Sequence, residues 1–288
     1  MPITTHVALR FRVTHASEDL LQGFMLTRVT VEGVEEDGGE TLYYIPVSVW
    51  NSEFEVEVKD FVAASSGITF LGSEQLENRD WNAEWEQSIE PQQATEQLVI
   101  TPSWRMEEAV ALDAKYLITI DPKMSFGTGH HETTRLCLHA LEQIDCTQKS
   151  VLDIGTGSGV LAIYALLRGA QHAIAIDTDS WSIENAEENR ALNNFKEAQL
   201  EIRKGMLDET VRNDEQFDII LANIHRNVLI EIAAAIHSQC RPDAKVVLSG
   251  LLMYDVDEVR AAYEAAGFAF VREERENEWA SLSFEAAV

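Results

Sequence analysis

The sequence predicts an α/β chain: a Rossmann-like, doubly wound parallel sheet finished by a carboxyl-terminal antiparallel hairpin, with a small α+β domain ahead of it. Three observations carry this expectation. Short apolar runs alternate with helical stretches through residues 150–266, the rhythm of repeated βαβ units. One of these runs, Val151-Leu152-Asp153-Ile154, stops at Gly155-Thr156-Gly157-Ser158-Gly159, and a helical stretch follows at once. Such a strand, turn and helix bring backbone amides and a helix N-terminus to one point. The chain then closes with two strand-like runs, 268–272 and 280–284, around the polar stretch 273–278.

Residues 1–76 read as the small α+β domain. Residues 7–13 alternate as a strand, and Ser17 followed by Glu18-Asp19 opens a helix. Residues 29–34 and 41–50 form a hairpin about Asp37-Gly38-Gly39. Ser52-Glu53-Phe54-Glu55 reads as a capping box for a helix to residue 64, and 68–71 is a further strand. No chemistry is visible here, which points to a recognition role. Residues 77–97 read as a polar linker in which Trp81 and Trp85 stand at helical i, i+4 spacing. That pair is either a docked linker helix or an aromatic clamp on a substrate.

From residue 98 to 288 the pattern is the larger domain. Its expected strands are 150–154, 173–176, 199–202, 217–222 and 245–250, with helices at 160–168, 180–193, 227–240 and 255–266. Asp177 ends the second strand about 20 residues beyond the glycine turn, where an acid accepts hydrogen bonds from ribose hydroxyls. A dinucleotide fingerprint would place its third glycine at position 160, which is Val160; here the third glycine is Gly159. The turn looks like the S-adenosylmethionine turn of class I methyltransferases, which have no pyrophosphate to cradle.

Two further segments point at the same place. Asp121 to Thr134 contains Phe126-Gly127-Thr128-Gly129-His130-His131 and then Thr133-Thr134, opening a helix over 135–141. Its glycines allow close backbone approach, and the loop reads as a cover over the cofactor. The adjacent histidines lack a third ligand at metal spacing, so no metal is expected. The apolar run 218–222 ends in Asn223 at the carboxyl edge of the sheet, where open α/β folds bind ligands. Asn223 offers an acceptor to an incoming amine and donors to a cofactor, or else caps the next helix.

The chain carries 22 basic and 49 acidic residues, a net charge of −27. Such a surface repels nucleic-acid backbone and anionic membrane, so neither is expected as a direct partner. A basic protein would be attracted, although acids scattered along the whole chain are equally the mark of a saline cytoplasm. No apolar run reaches membrane-span length and the start lacks signal-peptide features, so a cytoplasmic protein is expected. Cys137, Cys146 and Cys240 read as reduced thiols.

Taken together, Phe126 to Gly129, His131 to Thr134, Asp153 to Gly159, Asp177 and Asn223-Ile224 closely resemble the ribosomal protein L11 methyltransferase (PrmA) family. The resemblance extends to Asp80-Trp81, Trp85 and the small first domain. It implies a class I methyltransferase fold and S-adenosylmethionine as cofactor, leaving S-adenosylhomocysteine as product. It implies that Thr134, Gly155, Asp177 and Asn223 contact the cofactor, together with Asp153, Gly157 and the loop residues Phe126, Gly127, Thr128 and Gly129. Asn223 would orient the amine. It also implies methylation of several amino groups on ribosomal protein L11, with the first domain gripping that substrate. His130 and Glu132 stand where the family often has Thr and Pro, and His225 where it has Leu; these departures fall on the acceptor side.

A sulfonium methyl is already activated, so the site must chiefly hold a neutral amine in line with it. Asn223 would do so, and His130, His131 or His225 could take up the proton. A methyltransferase for lysines of another protein is the nearest alternative. A nicotinamide-dependent oxidoreductase is the alternative of another class, disfavoured by Val160 and by the terminal hairpin.

Overall fold

A computed structural model describes residues 6–14, 17–37, 39–76, 89–121, 127, 129, 131–212 and 214–287, in which the chain divides into two units, 1–88 and 89–288. Trp81 and Trp85 lie outside the described residues.

The first unit runs β1 (His6–Val13), α1 (Glu18–Arg28), β2 (Gly33–Asp37), β3 (Glu40–Pro46), α2 (Ser52–Ala64) and β4 (Ile68–Leu76). The antiparallel sheet has the order β2-β3-β1-β4. Alternation along β1 sends Val7, Leu9 and Phe11 to one face, where Leu21 and Met25 of α1 and Phe54 and Val58 of α2 cover them. Two helix starts differ from expectation. Ser17 makes no capping bond; its hydroxyl donates to the Ser66 carbonyl at 3.0 Å, tying the chain before α1 to the root of β4. The cap of α2 is Asn51, whose Oδ1 accepts from the amides of Glu53 and Phe54, both at 3.0 Å, so the expected box at Ser52 does not form. The hairpin strands are also shifted: β2 begins only at Gly33, and β3 stops at Pro46, which has no N–H to donate.

The second unit opens with β5 (Gln92–Gln93), β6 (Leu98–Thr101), α3 (Met106–Val110) and β7 (Tyr116–Thr119), a small sheet of order β5-β6-β7. Gln92 and Gln93, within the stretch read from the sequence as a linker, are a strand of this sheet, and 94–97 connect it to β6. There follow α4 (Glu132–Glu142), β8 (Ser150–Ile154), α5 (Val160–Leu167), β9 (His172–Asp177), α6 (Ser180–Leu192), β10 (Leu200–Lys204), α7 (Leu207–Thr210), β11 (Phe217–Asn223), α8 (Arg226–Ser238), β12 (Cys240–Leu252), α9 (Val256–Ala265), β13 (Phe268–Glu276) and β14 (Trp279–Ala286).

These strands form a seven-stranded sheet of order β10-β9-β8-β11-β12-β14-β13. The first five are parallel, and β14 and β13 are antiparallel additions. All five residues of β8 are buried, with Leu152 and Ile154 in one core and Val151 in the other. Helices on both faces of a parallel sheet require this continuous apolar run. The strand order reverses between β8 and β11, so their carboxyl ends flank the switch-point crevice.

The terminal hairpin differs in detail from the sequence reading. Residues 273–276 belong to β13 rather than to the turn, which is the pair Asn277-Glu278, with Asn277 in the left-handed region at φ 52°. The Arg-Glu-Glu-Arg-Glu run reads as loop by polarity, yet on an edge strand polar side chains face water and cross-pair. Here Arg272 pairs with Glu274, and Arg275 with Glu273.

Candidate active site

The glycine turn is fixed by its neighbours in the sheet. The amides of Gly155 and Thr156 both donate to the Ile176 carbonyl, at 2.9 and 3.0 Å, stitching the end of β8 to β9. Gly155 has φ 71°, and a Cβ there would lie 2.1 Å from Ile224 Cγ2, so no other residue fits. Gly159, at φ 85°, starts α5.

Asp177 stands half-buried at the end of β9. Its Oδ2 accepts from Gly157 N at 2.9 Å and its Oδ1 from Asp179 N at 3.0 Å. Two backbone amides thus hold the carboxylate against the turn. Gly155, Gly157, Asp177 and Asn223 line one cleft of about 450 Å³, with Met206 and Val228 contributing apolar wall. That volume suits a small organic ligand, and the lining joins a few polar groups to a mainly apolar wall.

Asn223 ends β11 in register with Ser249 of β12. Among the described residues its side-chain amide has no hydrogen-bond partner. The helix that follows is capped at His225, which itself makes no capping bond, so Asn223 is not a helix cap and its amide is available to a ligand. His225 is exposed.

Two residues expected from the sequence to touch the cofactor carry a buried atom without a partner, Thr134 Oγ1 and Asp153 Oδ1, and neither residue lines the cleft. Thr134 sits in the first turn of α4, its amide donating to the His131 carbonyl at 3.1 Å. Asp153 Oδ2 accepts from Thr156 Oγ1 at 2.7 Å and Ala162 N at 3.3 Å. Burial pushes the Asp153 carboxyl up to about 6, against the hydrogen bonds from Thr156 and Ala162 that hold it down.

The loop expected over the cofactor is described in part: Phe126, Thr128 and His130 lie outside the described residues. Its glycines have a reason the sequence did not show. Gly127 accepts from Ser158 Oγ at 2.7 Å through its carbonyl, and a Cβ on it would lie 2.6 Å from that hydroxyl. A Cβ on Gly129 would lie 2.6 Å from Ile100 Cδ1. Both glycines permit close contact with the protein itself. His131, a candidate proton acceptor by sequence, is the cap of α4: its Nδ1 accepts from Thr133 N at 3.2 Å, and its ring meets Trp279 at 4.9 Å.

The sequence reading also missed three side chains. Asn185, Asn189 and Asn193 reach from α6 to the loop root and the glycine turn. The available signal was their i, i+4, i+8 spacing along the expected helix 180–193. Among the described residues no group of His, Cys, Asp or Glu could hold a metal ion, and no helix is long and apolar enough to cross a membrane.

Comparison with known proteins places these features in context. Residues 41–287 match the family described as Ribosomal protein L11 methyltransferase (PrmA). The chain is 35% identical over 285 residues to the ribosomal protein L11 methyltransferase of Chlorobaculum parvum, covering 97% of this chain and 96% of that one. Identity to the Bacteroides fragilis protein of the same name is 34% over 253 residues, 87% of this chain and 88% of the relative. The crystal structure of ribosomal protein L11 methylase from Lactobacillus delbrueckii subsp. bulgaricus superposes with a TM-score of 0.63 at 30% identity, covering 69% of this chain and all of that one.

Proposed function

The chain belongs to the ribosomal protein L11 methyltransferase (PrmA) family, and from that membership and the cleft just described we infer that it transfers methyl groups from S-adenosylmethionine to lysine and α-amino nitrogens of ribosomal protein L11. The observation that carries the reading is the convergence of Gly155, Gly157, Asp177 and Asn223 on one cleft at the switch point of the sheet.

The residues present fit the cofactor. Asp177, already oriented by two amides, retains lone pairs for ribose hydroxyls. The amides at the start of α5 favour the ligand's carboxylate, whereas Thr134 and Asp153, expected from the sequence to touch the cofactor, are fully buried and do not line the cleft.

S-adenosylmethionine supplies a methyl group on a sulfonium, which a neutral amine displaces directly. What remains for the protein is to hold and desolvate that amine. Asn223, partnerless at the edge of β11, would accept from the amine through its side-chain oxygen and fix the lone pair in line. The proton lost by the substrate ammonium passes to water or to an exposed imidazole such as His225. His131 Nδ1 accepts from the Thr133 amide as a cap, which favours His225 over His131 as the acceptor.

We place the reaction in the cytoplasm, where ribosomes assemble and the three buried thiols remain reduced. Incubating the protein with ribosomal protein L11 and methyl-labelled S-adenosylmethionine tests the reading. Label on L11 amino groups is expected, and label confined to some other basic protein would assign a different substrate.

A further inference from the structure

Behind the glycine turn, α6 presents three asparagines in a column. Asn185, Asn189 and Asn193 recur every fourth residue and share one helix face, and the first two are fully buried. A buried amide left unpaired destabilises the fold, so its partners define its role. Asn193 mimics a neighbouring strand: its Oδ1 accepts from Thr119 N at 2.9 Å and its Nδ2 donates to Thr119 O at 2.7 Å. Asn185 Nδ2 donates to the Asp121 carbonyl at 3.1 Å.

Asn189 does something different. Its Oδ1 accepts from Asp121 N at 3.1 Å while its Nδ2 donates to the Ser158 carbonyl at 2.9 Å. Only one orientation of the amide satisfies both, since one partner is an N–H and the other a carbonyl. Asn189 thereby joins the root of the loop to the glycine turn. Ser158 extends the link, its hydroxyl donating to the Gly127 carbonyl at 2.7 Å. With the Ser158 carbonyl drawn toward α6, the Gly159 N–H points the other way, to Thr156 O at 2.9 Å. A released Ser158 carbonyl could turn toward the cleft and repel the anionic end of a ligand.

We propose that Asn189 is a positioning residue for cofactor binding, which locks Asp121 and the Ser158–Gly159 peptide in the arrangement that receives S-adenosylmethionine. Asn189 touches no cleft atom and acts through Ser158. Preorganising the turn before the ligand arrives removes an ordering cost from binding. The proposal rests on the reading of the cleft as the S-adenosylmethionine site.

The test is calorimetric titration of the full chain with S-adenosylmethionine, with thermal unfolding of each variant measured alongside. Asn189→Ala should weaken binding by about tenfold, the scale of a lost buried hydrogen bond. Ser158→Ala should weaken it by roughly threefold, and the double variant by less than the product of the two, because they share one link. Asn193→Ala is the comparator: it removes equivalent bonds from the same helix, so it should lower Tm yet leave the Kd within about twofold. The proposal is overturned if Asn189→Ala binds as wild type does, or if Asn193→Ala weakens binding in proportion to its loss of Tm. Should Asn189→Ala not fold, Asn189→Asp decides, because it keeps an acceptor for Asp121 N but loses the donor to the Ser158 carbonyl, and an unchanged Kd there overturns the proposal. A wild-type chain that binds no S-adenosylmethionine would overturn the cofactor reading and the proposal with it, a result distinct from a variant that binds normally.

Discussion

Asp177 spends one lone pair on each of two backbone amides and keeps the rest for a ligand. Replacing it with Ala removes the ribose acceptor and also frees Gly157 N. S-adenosylmethionine affinity should fall by roughly 1.5–3 kcal/mol, the range for hydrogen bonds to a charged group, and an unchanged titration would mean the ribose is held elsewhere. Asp153 supports a prediction of opposite character. Its carboxyl is raised from the ordinary value of 3.8 to about 6 by burial. An acid raised by folding stabilises the fold while protonated; that contribution is complete below the unfolded value and is lost as pH rises through the folded one. Asp153→Asn should therefore gain on wild type in stability as pH rises from about 4 to about 6, reaching about 3 kcal/mol and keeping that advantage above pH 6. A stability difference flat across that range would show that Asp153 does not titrate in this window. At Asn223 the account separates turnover from affinity: Asn223→Ala should lower kcat more than it raises the cofactor Kd, because its oxygen serves the amine mainly as the methyl moves. His225→Leu should leave the pH profile of kcat in place if water takes the proton, and a shifted acidic limb would make His225 the acceptor.

At the scale of elements, the tip of the terminal hairpin is bound to the first turn of α4. Arg135 Nε donates to Glu276 Oε1 at 2.9 Å and its Nη2 to the same oxygen, and Asn277 Nδ2 donates to Glu132 Oε1 at 3.0 Å. Arg135 is largely shielded from water and Glu276 is partly so, and Arg135→Ala should destabilise the fold by about 1–2 kcal/mol in denaturant unfolding. A loss within error would make the pair ornamental. The elements legible in the sequence were those whose pattern is dictated by burial on both sides. The strands β8, β9 and β11 read directly as apolar runs, and the glycines at 155, 157 and 159 marked the turn because only positive φ fits there. The small sheet β5-β6-β7 escaped because its strands are two to four residues long, too short to show a period. Helix starts misread for a related reason: Ser17 and Ser52 have the chemistry of caps, but tertiary bonds and the neighbouring Asn51 decide which oxygen meets the free amides. The asparagine column was hidden because polarity on a helix face reads as exposure, whereas here the face is buried and satisfied by the backbone of other elements.

For the molecule as a whole, the cleft belongs to one of the two units. Every residue lining the cleft lies in 89–288, while the unit 1–88 offers a four-stranded sheet with two helices packed on one face. A chain beginning at Ile89, which keeps β5 and its sheet, should bind S-adenosylmethionine as the full chain does and lose methylation of L11. Normal L11 methylation by that shortened chain would remove the first unit from recognition. The net charge of −27 bears on the same question. If it draws a basic substrate, the KM for L11 should climb steeply with salt while cofactor binding stays level; if it suits a saline cytoplasm, salt should raise Tm instead. The measurement that tests the central claim most directly is mass spectrometry of ribosomal protein L11 after incubation with the full chain and deuterium-labelled S-adenosylmethionine, beside the Asn223→Ala variant. The account predicts labelled methyl groups on lysine and α-amino nitrogens of L11, sharply reduced in the variant. Unlabelled L11 in the presence of an enzyme that binds S-adenosylmethionine, or label undiminished by the loss of Asn223, would contradict it.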